Sequence, residues 1–243
     1  MATKPILFNT EMVKAILTGR KTQTRRAVRF IECDVYDAAC AEGMWSGRFD
    51  PENPPKALIE WFIKAKARRP FAPGDILWVR ETWSTHYDGI HDDLQFCYRA
   101  DDVDLKSECL PGENNRWWPS IHMPKDAARI FLCVKSIGVE RLQDITEKDA
   151  IAEGMPDSLD YPVSPVYCPQ CHGRGLIGYY SGSGFSDEEC PACDTGAKRF
   201  ANLWGNTIRK TDYGKYAWDD NPWVWVVEFE RCDKPYDWGA EHE

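Results

Sequence analysis

Two cysteine pairs, Cys168-x-x-Cys171 and Cys190-x-x-Cys193, limit what this chain can fold into more than any other feature. The two-residue gap lets both sulfurs of a pair reach one ion, and the eighteen residues between the pairs match the spacing of a tetrathiolate zinc site. Zinc at about 2.3 Å from each sulfur would close the tetrahedron. Gly173, Gly175 and Gly196 free the backbone to turn around the pairs, and His172 reads as a bystander beside a ligand. Four thiolates leave no open coordination position, so the expected ion, zinc on Cys168, Cys171, Cys190 and Cys193, is structural. The knuckle is expected to fold residues 165–196 around that ion, within an insertion spanning 156–196, and could add a docking surface.

At 243 residues the chain reads as a single domain, 1–243, that contains this insertion. Hydrophobic residues make up 43% and eleven are tryptophan, enough for a sizeable core. No run of about 18 apolar residues suggests a membrane span. The start, Met1 to Pro5, lacks the apolar segment of a secretion signal. A cytoplasmic monomer is the expectation, with its ten cysteines serving as metal ligands or free thiols. The formal charge of −9 argues against a general nucleic-acid coat. Between Met12 and Arg29, however, stand six cations and no carboxylate. A local cationic site on an acidic protein suits a defined anionic ligand.

Thr10 is placed to cap a short helix bearing Met12, Val13, Ile16 and Leu17, ended by Gly19. Residues 31–56 read as a loop and Ala57 to Ala67 as a helix. Pro73-Gly74-Asp75 launches a strand over Ile76 to Thr82, and Leu94 to Tyr98 alternates as a second. A polar loop at 101–125 precedes a strand from Ile130 to Val139. Thr146 caps another short helix, with Asp149 in its first turn and Gly154 as its stop. Phe200, Leu203, Trp204 and Ile208 recur at helical spacing, and Trp223 to Glu230 alternates as a half-buried strand. Strands scattered among short helices imply α+β, with a small barrel-like sheet.

The most informative segment is Gly19-Arg20-Lys21-Thr22-Gln23-Thr24-Arg25-Arg26, read as a cationic turn. It resembles the ASCH family of the PUA-like superfamily, whose signature Gly-x-Lys-x-x-x-x-Arg is met by Gly19, Lys21 and Arg26. The family often carries Glu where this chain has Thr24. That departure is itself similar to bacterial N4-acetylcytidine amidohydrolases, as is the stretch Leu142 to Ala150. The resemblance spans 6–30, 73–82, 130–155 and 223–231, leaving out the knuckle and 31–70. The whole chain also looks like phage and prophage proteins of the ASCH type. The resemblance implies a PUA-like barrel and a hydrolase with Thr24 as nucleophile, Lys21 as base and Glu153 as partner carboxylate.

The chemistry has its own logic. A threonine hydroxyl needs an adjacent base, and lysine serves only if burial and neighbours such as Arg25 and Arg26 depress its pKa. Held against Glu153, Lys21 would instead stay protonated and stabilise an oxyanion. Glu153 ends its helix, where a carboxylate opposes the dipole by about 0.3–1 kcal/mol, a misplacement that points to function. Arg25, Arg26 and Glu81 are the expected substrate-binding residues, and Trp83, Trp117 and Trp118 could stack a base. Plainer readings stand beside these: Lys21 and Arg26 binding only phosphate, Thr24 capping a turn, Glu153 on the surface, Glu81 in a core ion pair, the tryptophans as core. Three functions remain open: removal of an acyl group from a modified nucleoside, noncatalytic binding of RNA or modified nucleic acid, and RNA cleavage.

Overall fold

The computed structural model describes residues 2–30, 32–44, 54–88, 93–105, 116–156, 168, 170–171, 176–181, 184–236 and 238. Five strands form its central sheet: β1 (Thr3–Leu7), β2 (Gln23–Ala27), β3 (Ile76–Arg80), β6 (Phe131–Arg141) and β9 (Trp223–Cys232), in the order β1-β3-β6-β9-β2. Only β1 and β3 run parallel; the other pairs are antiparallel. Two hairpins stand apart, β4 (Trp83–Asp88) with β5 (Asp93–Tyr98), and β7 (Leu176–Ser181) with β8 (Gly184–Glu189). The chain is thus α+β, as expected. The closed barrel is not formed among the described residues: β1 and β2 are edges with no ladder between them.

Helix α1 (Thr10–Leu17) lays Val13 and Ile16 on Leu77, Val79, Leu132 and Val227. Its cap is Asn9, whose side chain accepts from the Met12 N–H, rather than Thr10, which is already helical. Helices α2 (Glu32–Ala41) and α3 (Lys56–Ala65) bury Val35, Ala39, Leu58 and Ile63 against Trp225. The expected loop at 31–56 therefore contains a helix. Val35 and Ala39, four apart, supply its buried stripe, and acidic Glu32 and Asp34 favour its first turn. On the remaining side, α4 (Glu147–Ala152) and α5 (Gly196–Thr207) pack Ala150, Phe200, Leu203 and Trp204 on Val224 and Val226. Met12 touches both this cluster and that of α1.

β9 is consequently buried on both faces over Val224 to Val227, and only beyond do Glu228 and Glu230 face water. The half-buried reading holds for its second half alone. The strand expected over 76–82 stops at Arg80, and the chain bends before β4. The cationic segment is less a turn than a strand: Gln23 to Ala27 pair with Glu228 to Val224. A run without apolar alternation becomes a strand here because β9 offers a free edge. His172, Gly173 and Gly175, like most of 156–196 before Cys168, lie outside the described residues.

α4 was legible at both ends. Thr146 and Asp149 form a reciprocal capping box, and Gly154 follows at φ +98°. A Cβ on Gly154 would meet the Ala15 Cβ at 3.0 Å and the Lys21 Cβ at 3.3 Å. Strain and crowding together predict that Gly154→Ala costs about 1–3 kcal/mol in urea unfolding; an unchanged midpoint would show that neither matters.

Candidate functional site

Between α1 and β2 the chain makes one tight passage, fastened to three elements. The Lys21 N–H donates to the Ala15 carbonyl (2.9 Å), the Thr22 N–H to Ala152 (2.8 Å), and the Thr22 carbonyl accepts from the Phe229 N–H (2.9 Å). These bonds carry Lys21 to the end of α4, 132 residues away in sequence. There its Nζ donates to the Glu153 carboxylate Oε2 and the Glu153 carbonyl, each 2.7 Å, and to the Gln23 carbonyl at 2.8 Å. An ammonium has three protons, so all are used. Burial pushes Lys21 below the ordinary lysine range, Glu153 pulling the other way and Arg26 and Arg25 adding to the downward push.

Arg25 holds the other Glu153 oxygen, Nη1 to Oε1 at 3.3 Å, while its Nε and Nη2 grip Glu140 Oε1 at 3.0 and 2.5 Å. Asp149 adds a carboxylate 3.7 Å from Nη2. On the opposite face of β2, Thr24 is fully buried, and its hydroxyl accepts from Arg26 Nη1 at 2.8 Å. Arg26 also donates to the carbonyls of Arg25 (3.0 Å) and Leu7 (3.1 Å), so its side chain spans the two sheet edges. The Phe8 ring is close to both cations, 5.3 Å from the Arg26 guanidinium and 5.6 Å from Lys21 Nζ. Each buried ion costs several kcal/mol to dehydrate, so an apolar core would be at least as stable; a cluster of this kind is a functional-site signal.

A cavity of about 570 Å³ opens beside this cluster, its wall including Phe8, Arg25, Arg26, Glu153, Phe200 and Trp204. That is room for a ligand of nucleoside size. Arg25 is neutralised by Glu140 and Glu153, and Arg29, at the rim, by Asp212 (3.0 Å). Arg26 has no carboxylate in salt-bridge contact among the described residues. Of its five N–H donors, Nε–H and one proton of Nη2 lack a protein acceptor there.

Lys21, Thr24, Arg25, Arg26 and Glu153 are thus gathered into one neighbourhood, although Lys21 and Thr24 do not line the cavity. Glu81 stands elsewhere: it is buried in an ion pair with Arg129 (2.9 Å), burial pushing its pKa up against that cation. Trp118 has Arg116 3.5 Å from its ring centre and stacks with Trp83, centroids 6.4 Å apart, and it is not part of the cavity wall. Trp117 is half-buried and forms no part of the cavity wall. The sequence did not disclose Glu140, Phe8 or the α5 wall. Phe200 and Trp204 carry only an amphipathic signal, which looks the same for a core face and a cavity face.

The four cysteines meet as their spacing predicts. All are buried, with Sγ atoms within 4.8 Å of one another, 3.8 Å between Cys168 and Cys190 and 3.5 Å between Cys171 and Cys193. Disulfides would need about 2.05 Å. Sulfurs at about 2.3 Å around a tetrahedral ion stand about 3.8 Å apart, so the cluster could hold a metal ion.

Two outcomes follow from this geometry. Lys21→Met strands one oxygen of a buried carboxylate and should cost about 3–5 kcal/mol in denaturant unfolding; a loss under 1 kcal/mol would mean that Glu153 finds water. Elemental analysis should find one divalent ion per chain, and Cys171→Ser should reduce that content sharply. Metal-free protein prepared without chelator would leave the sulfurs as plain thiols.

No family model, curated protein or solved structure matches the chain.

Proposed function

We propose that the protein is a hydrolase that removes an acyl group from a modified nucleoside, N4-acetylcytidine by its ASCH-like resemblance, with zinc as a structural ion on the four cysteines. One observation carries the reading. A buried Lys21–Glu153 pair meets a cavity of nucleoside size where Arg26 keeps donors free of protein partners. Phe8, Phe200 and Trp204 offer the cavity apolar ring surface suited to a base.

Roles follow from the donors. With its three protons on acceptors, Lys21 acts as a donor that orients Glu153, in place of the base that the resemblance implies. Glu153 is the carboxylate on the cavity wall, so it receives the proton of the attacking oxygen. That oxygen belongs to a water on Glu153, or to Thr24 if its hydroxyl, which here bonds Arg26 on the opposite face of β2, is brought to the cavity and its proton relayed to Glu153 by water. Thr24 lies under Arg26, so its attack requires the guanidinium to shift from the hydroxyl to the amide oxygen. Arg26 would then meet the oxyanion as the C–O bond forms. The C–N bond breaks as Glu153 returns the proton to the leaving amine; on the Thr24 route water then hydrolyses the acyl ester.

A noncatalytic reader of modified nucleosides or RNA is the second reading, favoured by the complete burial of Thr24. RNA cleavage has less support, because the carboxylates on Arg25 and Arg29 leave little cationic surface for a phosphate chain.

Incubation with N4-acetylcytidine should release cytidine and acetate. Arg26→Ala should slow this by about 10²–10³, the usual loss for an oxyanion donor. Glu153→Gln should nearly abolish it; the variant keeps its circular dichroism spectrum but loses about 3–5 kcal/mol of stability, since Lys21 and Arg25 lose their shared carboxylate. Thr24→Ala separates the routes, inactive if threonine attacks and active if water does. Tight binding without product, unaffected by Thr24→Ala, would select the reader; an RNA cut that weakens steeply with salt would select the nuclease.

A further inference from the structure

The cysteine cluster and the cavity are joined by the 190–194 turn and α5. Cys190 and Cys193 belong to a turn closed by the Cys193 N–H on the Cys190 carbonyl (3.0 Å), and α5 starts just beyond, capped by Thr195. Four consecutive carbonyls of this turn accept from side chains of α5. Pro191 takes Lys198 Nζ (2.9 Å), Ala192 takes Asn202 Nδ2 (3.0 Å), Cys193 takes Arg199 Nε (2.8 Å) and Asp194 takes Arg199 Nη2 (3.3 Å). Arg199 is 4% exposed, and its Nη1 reaches on to the carbonyl of Pro156, two residues past Gly154. One side chain therefore ties the second thiolate pair to the segment that follows Glu153.

α5 is also locked to α4. Glu147 receives the Gly196 N–H at 2.6 Å and the Ala197 N–H at 3.3 Å, an anion on the positive end of the helix. The approach is close enough that a Cβ on Gly196 would lie 2.6 Å from Glu147 Oε1. The other side of α5 supplies Phe200, Leu203 and Trp204 to the cavity, and Phe200 stands 5.8 Å from the Arg25 guanidinium.

The geometry points to a metal that positions the ligand cavity: the ion on the four cysteines fixes the 190–194 turn, and through Arg199 and α5 it holds one cavity wall and the end of α4 in place. Arg199 is the positioning residue. Without the ion, four buried thiols have no common centre and the turn loses its anchor, while α5 keeps its apolar contacts, the Thr195 and Glu147 caps and the Trp204 Nε1 bond to the Tyr216 carbonyl (2.8 Å). The inference concerns the wall itself and stands whether or not the cavity hydrolyses anything.

Amide hydrogen exchange on the full chain, with and without chelation of the metal, tests it. Removal should speed exchange about tenfold or more across 199–207 and at Met155, as well as in 176–193, while β2 and β9 keep their protection. Arg199→Met should retain its metal yet speed exchange in 199–207 and at Met155, and Arg199→Lys should restore part of the protection. Faster exchange confined to 176–193 would make the knuckle an independent appendage and overturn the inference. Equal loss of protection in β2 and β9 would overturn it too, since the ion would then support the whole fold. Protein that neither holds nor takes up metal would remove its basis. Absent deacylase activity, with the exchange pattern as expected, would count against the proposed reaction alone.

Discussion

Glu153 gripped at one oxygen by Lys21 and at the other by Arg25 is the contact on which the rest of the site depends. It closes a long excursion of the chain, because the two cations enter at β2 and the carboxylate ends a helix laid down after two more strands of the sheet, β3 and β6, and the β4–β5 hairpin. Three charges this deep are an unfavourable way to stabilise a protein, and they persist only where backbone geometry leaves no other place for them. The Thr22 amide on Ala152, the Lys21 amide on Ala15 and the positive φ of Gly154 provide that confinement. The Glu153 carbonyl also accepts from Lys21, so the lysine satisfies the helix end that the carboxylate's own charge opposes.

Much of this could be read in the sequence wherever a short-range rule decides the outcome. Thr146, Asp149 and Gly154 mark both ends of α4; Gly19 ends α1; the doubled Cys-x-x-Cys spacing brings four sulfurs together. Readings failed where a partner decides. Gln23 to Ala27 carry no strand pattern of their own, and only the exposed edge of β9 makes them one. α2 has a narrow stripe, Val35 and Ala39, that means little until Leu58 and Phe62 of α3 lie against it. A cavity is harder still, since it is space left between elements. Nothing in Phe200 or Trp204 states which side of the packing they will face.

The open sheet has a related explanation. The resemblance implies a closed barrel, but β1 and β2 are joined by the Arg26 guanidinium on the Leu7 carbonyl, not by a ladder. A side chain bridging two edges leaves room between them, and Phe8 and Asn9 at the end of β1 border the cavity as a result. The same arginine covers the Thr24 hydroxyl. The bridge between the edges and access to Thr24 therefore rest on one side chain, and a ligand that draws Arg26 toward itself loosens both together.

Charge distribution narrows what such a ligand can be. The carboxylates facing Arg25 from outside, Glu140 and Asp149, are about a third exposed, and water screens them. Lys21 and Glu153 cancel at close range inside. What remains toward the cavity is the charge of the half-buried Arg26, with no carboxylate in salt-bridge contact among the described residues. A ligand with permanent negative charge would give up part of its hydration to meet a single cation. A neutral ligand enters without that cost, and one that becomes negative only as it reacts gains the Arg26 interaction when the charge appears. An amide attacked at its carbonyl is such a ligand and a phosphodiester is not, the electrostatic ground on which the proposed acyl transfer is preferred to RNA cleavage.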